Sequence, residues 1–231
     1  MTVVMPMHDF QNAAPWRFAA ALPNGSSLVG RPLDCKALAL LESIVPEASA
    51  VAGAIGRRRL EFIAGRLCAR RAMSAIGHDE EPVPMGTDRA PIWPGGLVGS
   101  ISHCDDFVMA VVCSRAALTT IGIDCERRTR LDPGLSTIIC RDDEQAWQED
   151  CKLSYGEWLT AVFSTKEAVF KAHYAVERHM LGFKDIRIYF ESDLTGFTAD
   201  VEFGRGENIH FQNGIMYFDD RRIYTAAWLT A

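Results

Sequence analysis

Phe163-Ser164-Thr165-Lys166-Glu167-Ala168-Val169-Phe170-Lys171-Ala172 is the stretch on which the reading of this chain turns. With Trp158, Leu159 and Val162 ahead of it, its apolar residues recur at i, i+3, i+4 and i+7, the spacing of an amphipathic helix. Charged residues interrupt the stripe. Lys166 falls near its centre, one turn from Val162 and Phe170, and Glu167 lies on its edge, with Lys171 following at i+4. A surface Glu-to-Lys pair, worth a few tenths of a kcal/mol, explains Glu167 and Lys171. It does not explain Lys166, because lysine is almost never fully buried without a partner or a ligand.

Just upstream, Thr119 to Glu126 reads as a strand. Ile121, Ile123 and Cys125 point to one face, and Gly122, Asp124 and Glu126 to the other. Two carboxylates at i, i+2 on one face repel unless a cation sits between them. Between this strand and the helix runs a polar connector, 127–157, with Asp132-Pro133-Gly134 as a turn and a short helix over Arg141 to Trp147. Earlier, Leu97 to Ser102 predicts a strand ending at His103-Cys104-Asp105-Asp106, and Phe107 to Cys113 a buried strand. Pro82 to Gly96 has the composition of a loop.

Ile55 to Ile76 predicts a long helix with Leu60, Ile63, Ala64 and Leu67 on one face, closed by Gly77. A short helix is expected from Asp34 to Leu41, and loop with short strand over residues 1–30. After Gly182, strands are expected at 186–190, 196–203, 209–211, 215–218 and 223–229, with Asp219 to Arg222 as a hairpin loop. Helix followed by strands in each half defines an α+β class.

A net charge of −6 argues against bulk binding of nucleic acid or acidic membranes, which need a basic footprint. It leaves room for a local basic patch suited to a small phosphorylated ligand. No run of about 18 apolar residues marks a membrane span, and Met1 to Phe10 lacks the pattern of a secretory signal. The seven cysteines are scattered, with no C-x-x-C pair. That fits reduced thiols in a cytoplasm better than a disulfide framework or a zinc site.

Arg59, Arg66 and Arg70 share a flank of the 55–76 helix, with Arg57, Arg58 and Arg71 nearby. In an acidic protein this is either an anion-binding face or a solvated basic face. Asp124, Glu126 and Glu167 together suit Mg²⁺, a hard ion that takes carboxylate oxygens and is completed by substrate phosphates. Lys166, Lys171 and His103 suit a pyrophosphate. The mixture fits Mg²⁺-dependent phosphotransfer or pyrophosphate cleavage. The bland counterpart is a solvated carboxylate pair and a structural histidine.

Three strings stand in order: Gly99-Ser100-Ile101-Ser102-His103-Cys104, Gly122-Ile123-Asp124-Cys125-Glu126, and Phe163 to Ala172. With Phe62-Ile63-Ala64-Gly65-Arg66 and Arg89-Ala90-Pro91-Ile92-Trp93-Pro94, they resemble the motifs of Sfp-type 4′-phosphopantetheinyl transferases. The nearest likeness is to the enterobactin-synthase transferase branch.

The resemblance implies transfer of phosphopantetheine from coenzyme A to a serine of an apo acyl, peptidyl or aryl carrier protein, with release of adenosine 3′,5′-bisphosphate. It implies Asp124, Glu126 and Glu167 as ligands of Mg²⁺, or Mn²⁺ in its place, with Glu167 also the base toward the serine. Lys166 and Lys171 would face the pyrophosphate, and Ser102 and His103 a coenzyme A phosphate. Arg66 and Arg89, with Arg58 or Arg59 added, would surround the 3′-phosphate and adenine. Cys125 is expected to fill core.

The family fold implies two similar α+β halves related by a pseudo-twofold, here 1–118 and 119–231, in a monomer with the site between them. Carriers of this kind are acidic around their serine, so a basic or apolar rim is expected. Ile138, Ile139 and Trp147 of the connector either contribute to that rim or belong to the core. Two other readings use the same residues: hydrolysis of coenzyme A or a nucleotide by water, and a non-catalytic coenzyme A-binding module.

Overall fold

The computed structural model describes residues 16–129, 131–145, 147, 152–203 and 207–231. The expectations for residues 1–15, and Cys151, lie outside the described residues. The chain runs α1 (Trp16–Ala21), β1 (Ser27–Pro32), α2 (Leu38–Ile44), α3 (Gly56–Ala75), β2 (Leu97–Cys104), β3 (Phe107–Ser114) and β4 (Leu118–Arg127). There follow α4 (Ser136–Ile139), α5 (Asp142–Gln145), α6 (Tyr155–Glu177), β5 (Ile186–Phe190), β6 (Gly196–Phe203), β7 (Glu207–Phe218) and β8 (Arg222–Thr230). The strands form two antiparallel sheets, ordered β1-β3-β2 and β4-β8-β7-β6-β5.

Side-chain alternation turns these elements into four layers. Met109, Val111 and Cys113 of β3 meet Ile121, Ile123 and Cys125 of β4 and Tyr224, Ala226 and Trp228 of β8 in a central core between the sheets. On its outer face the small sheet offers Val108, Ala110 and Val112 to Leu60, Ile63, Ala64 and Ala72 of α3. The large sheet packs α6 through Trp158, Leu159, Val162, Val169 and Ala172. The predicted helix at 55–76 and the strands at 97–102, 107–113 and 119–126 all form. So does the 186–190 strand.

Several boundaries differ: the helix expected at Asp34 to Leu41 is Leu38–Ile44, and the one expected at Arg141 to Trp147 is Asp142–Gln145. The expected strands 209–211 and 215–218 are a single strand, β7, running through Gln212 and Asn213. Gly214 is required there because a Cβ would fall 2.3 Å from the Phe197 ring of β6. A glycine that reads as a break is instead the place where a ring crosses the sheet. The hairpin at Asp219 is as expected, with Asp219 N–H donating to Arg222 O (3.0 Å).

The two sheets touch along β2 and β4, and the contact is made by hydroxyls. Ser100 Oγ accepts from the Ile123 N–H (3.1 Å) and Ser102 Oγ from the Cys125 N–H (3.3 Å). β4 is the edge of its sheet, so these hydroxyls satisfy backbone donors that would otherwise be left buried and unpaired. α6 approaches β4 closely at Gly122, where a Cβ would lie 2.0 Å from the Ala168 carbonyl oxygen. No helix among the described residues is long and apolar enough to cross a membrane.

Candidate active site

α6 begins with a capping box. Ser154 Oγ accepts from the Glu157 N–H while Glu157 Oε2 accepts from the Ser154 N–H (3.0 Å), which satisfies orphan donors of the first turn. From that start the helix carries Glu167 and Lys171 into a cleft at the β2–β4 seam. The cleft is lined by Arg57, Glu61, Ser102, His103, Asp105, Asp124, Glu126, Phe163, Glu167 and Lys171, among others. Three acids expected together therefore share one cavity, delivered by β4 and α6.

Asp124 and Glu126 are each only 4% exposed. Oδ1 of Asp124 accepts from Lys171 Nζ (2.7 Å) and Ser102 Oγ (2.8 Å), and Oδ2 from Ser164 Oγ (2.8 Å). Lys171 Nζ also donates to Ile123 O and to Ser102 Oγ, each at 3.1 Å. Burial works against the charge on Lys171, but Asp124 and Glu167 outweigh it and hold its pKa above the ordinary lysine value. Buried acids of this kind need a cation, and here the ammonium supplies it to Asp124. Carboxylate donors fit a hard divalent ion by type. Among the described residues, no three metal-ligating side chains are already gathered closely enough to hold one.

On the opposite wall, α3 presents its first turn. Arg58 Nη1 donates to Nε2 of His103 (3.0 Å). Since arginine cannot accept, that nitrogen is unprotonated and the proton sits on Nδ1, which lies 3.7 Å from Glu61. Burial draws the His103 pKa down, Glu61 pulling against it. Arg57 pairs with Glu61 (3.1 Å) and donates to the Asp105 carbonyl (2.5 Å). Arg57 was counted among the basic residues of this helix, but Glu61 was not expected from sequence. Their i,i+4 spacing next to Arg58 was the available signal.

Several expected contacts take different roles. Lys166 is not in the cleft: its ammonium is fully buried on Glu144 (2.6 Å) and the carbonyls of Ile139 (2.9 Å) and Phe183 (3.0 Å). Burial lowers its pKa despite Glu144. The expectation that it faces a pyrophosphate is corrected on that ground. Arg59 is turned to Glu42 of α2, and Arg70 to Glu47 (3.8 Å). Arg66 is buried, its Nε donating to the Val83 carbonyl (2.9 Å) and its guanidinium stacked on Phe62. Burial brings the Arg66 pKa down to about 10, against the pull of Glu47, so it stays charged at neutral pH. The stripe of Arg59, Arg66 and Arg70 is thus occupied by the protein's own acids and a carbonyl.

Ser102 is placed at the cleft, but its one proton goes to Asp124, so it holds the wall together. Arg89 stands exposed on a tight turn with φ 68°. The neighbouring Asp88 accepts from Tyr174 of α6 and from Arg178 just past its end, each at 3.0 Å. Of the connector residues, Ile139 is core, Trp147 packs on Tyr189 and Phe190, and Ile138 is exposed. Cys125 is fully buried in the central core, as expected.

The cleft thus sets acids from a strand and a helix opposite a basic helix end, the donor set that phosphate chemistry uses. Residues 46–113 match the family described as 4′-phosphopantetheinyl transferase N-terminal domain, and residues 120–226 the 4′-phosphopantetheinyl transferase superfamily. Similar proteins include the 4′-phosphopantetheinyl transferase PptT of Mycobacterium tuberculosis, 37% identical over 159 residues (69% of this chain, 70% of that one). Another is Npt of Nocardia iowensis, 34% identical over 175 residues (74% and 75%). Enterobactin synthase component D of Salmonella typhimurium is 39% identical over 122 residues (50% and 48%). The chain belongs to the 4′-phosphopantetheinyl transferase superfamily and is a transferase of that type.

Proposed function

We propose that this chain moves the 4′-phosphopantetheine group of coenzyme A, in a Mg²⁺-dependent reaction, to a serine hydroxyl of an apo acyl, peptidyl or aryl carrier protein. Adenosine 3′,5′-bisphosphate leaves. The observation that carries the reading is the joint presence of Asp124, Glu126, Glu167 and Lys171 in one cleft whose other wall holds Arg57 and His103. Asp124, Glu126 and Glu167 would hold the metal, which supplies neutralisation of the pyrophosphate charge.

Lys171 takes up charge that develops on the leaving oxygen. Glu167 accepts the serine proton as Oγ bonds to the phosphorus that carries pantetheine and the pyrophosphate bridge breaks on the far side. Arg58, through its hydrogen bond to His103, and the exposed Arg89 would take the remaining phosphate and the adenine. The family matches, ending at residue 113 and resuming at 120, support a division into halves near residue 118. Six unpaired cysteines among the described residues support a reducing, cytoplasmic setting.

The test is incubation with coenzyme A, Mg²⁺ and a panel of apo carriers, read by intact mass. Carriers that gain the phosphopantetheine mass, with bisphosphate released in equal amount, are expected. Bisphosphate released without any carrier would mean hydrolysis by water, and binding of coenzyme A with no product would mean a non-catalytic module.

A further inference from the structure

Lys166 and Glu144 are the most deeply buried opposite charges in the described structure, and the proposed chemistry uses neither. Both side chains are 0% exposed. All three ammonium protons have acceptors: Glu144 Oε2, Ile139 O and Phe183 O. Glu144 is equally saturated, since Oε2 also accepts from the Arg141 N–H (2.8 Å) and Oε1 from the Ile188 N–H (3.0 Å). One ion pair therefore ties the end of α4, the start of α5, the middle of α6, the 183–185 turn and β5 to a single point.

Such a pair is a poor source of stability. Replacing both members by neutral groups of similar volume is often neutral or stabilising, whereas removing one leaves a buried charge unanswered. What the pair does fix is geometry. Its donors and acceptors converge from separate segments, so α6 can neither rotate nor slide without breaking several at once. The next residue on that helix is Glu167, about 100° round the axis, and Lys171 follows one turn later. Both line the cleft.

We infer that Lys166 and Glu144 are positioning residues for the transfer reaction: together they set the rotation and height of α6, and so where Glu167 and Lys171 meet the carboxylates of β4. The inference rests on the transferase reading of the cleft. It assigns Lys166 no contact with substrate.

The test compares Lys166→Met, Glu144→Gln and the double variant with wild type. Three readouts are taken: thermal midpoint, Mn²⁺ affinity by electron paramagnetic resonance, and steady-state kinetics with coenzyme A and an apo carrier. Each single variant is expected to melt well below wild type, and the double variant to recover most of that loss. In the folded double variant, kcat is expected to fall on the order of a hundredfold, the scale of a misplacement of about 1 Å. Its KM for coenzyme A should stay within about threefold, as expected when an interaction felt only in the transition state is disturbed. Mn²⁺ binding should weaken, because Glu167 is displaced.

A double variant with wild-type kcat and Mn²⁺ affinity would overturn the inference and leave the pair purely structural. A large rise in KM for coenzyme A, with melting unchanged in Lys166→Met, would overturn it in favour of direct substrate contact. If wild type itself modifies no carrier, the transferase reading fails, while the melting and Mn²⁺ arms still decide whether the pair positions Glu167.

Discussion

The two long helices, α3 and α6, lie on antiparallel sheets in much the same way, yet they deploy charge oppositely. α3 carries six arginines between Arg57 and Arg71, and most of them are engaged away from the cleft. Arg59 meets Glu42, Arg70 meets Glu47, and Arg71 meets Glu80 at 2.8 Å. Only its first two turns reach the site, where Arg57 and Glu61 line the cleft and Arg58 holds His103. α6 carries two lysines in its central stretch, Lys166 and Lys171, and each is fixed by one acid: Glu144 inside the fold and Asp124 at the cleft. The comparison teaches that abundance of charge does not locate a site. What locates it is whether a charge is turned toward a desolvated cavity that holds acids from another element.

The largest effect should come from separating the α6 cation from its acid. Lys171→Ala and Asp124→Asn are each expected to lower the rate of carrier modification by roughly a hundred- to a thousandfold, the scale of lost electrostatic stabilisation. Single-turnover mass measurements would show it. Asparagine is the informative change at Asp124. Alanine would also strand Ser102, Ser164 and Lys171, which all donate to that carboxylate. A near-normal rate in either variant would place the chemistry elsewhere.

Next comes the packing that seats α6. Gly122→Ala puts a Cβ against the backbone of Ala168 and Ala172, and neither can move without shifting the helix. A loss of about 2 kcal/mol or more is expected in urea melts, the cost of overpacking a rigid contact. An unchanged midpoint would mean that α6 has slack against β4.

On α3 the contrast sharpens between neighbours. Arg58→Ala should raise the KM for coenzyme A about tenfold, the equivalent of about 1.4 kcal/mol. Arg59→Ala, removing a partly exposed pair with Glu42, should leave KM unaltered and cost at most about 1 kcal/mol of stability. Equal effects of the two on KM would mean that the outer arginines also bind the ligand.

The smallest effect lies at the seam between the two sheets. The Cys125 thiol hydrogen-bonds Cys104 and, with Arg222 beside it, brings the Cys104 pKa down to about 7 from its ordinary 9.0. A folded-state pKa lowered in this way contributes stability only where the thiolate forms. The contribution is absent below about pH 7, grows through the interval, and is complete above about 9. The stability gap between wild type and Cys104→Ala should therefore widen from pH 7 to 9 in urea melts. A gap that does not change with pH would mean that the thiol stays protonated.

Much of this was legible in the chain. The alternation of Ile121, Ile123 and Cys125 against Gly122, Asp124 and Glu126 is local, and β4 follows it because a strand's pleat has period two. Lys166 announced itself by lying in an apolar stripe where a bare ammonium could not stay. The partner was another matter. Asp142, Asp143 and Glu144 stand together in the connector, and nothing local says that Glu144 alone turns inward. The arginine stripe misled for the same reason. Its spacing was right, but Glu42, Glu47 and the Val83 carbonyl arrive from segments that periodicity does not link to it.

By itself, the sequence determined the α+β class, the faces of β4 and α6, and the acids and lysines from which a phosphate site is built, because each depends on spacing within one element. Only the tertiary structure decided which lysine meets Asp124, which is sealed on Glu144, and how serine hydroxyls join two sheet edges. Those outcomes depend on contacts between residues far apart in the chain. Desolvation makes them selective: a buried charge persists only where a complementary group is brought to it, and the fold alone does the bringing.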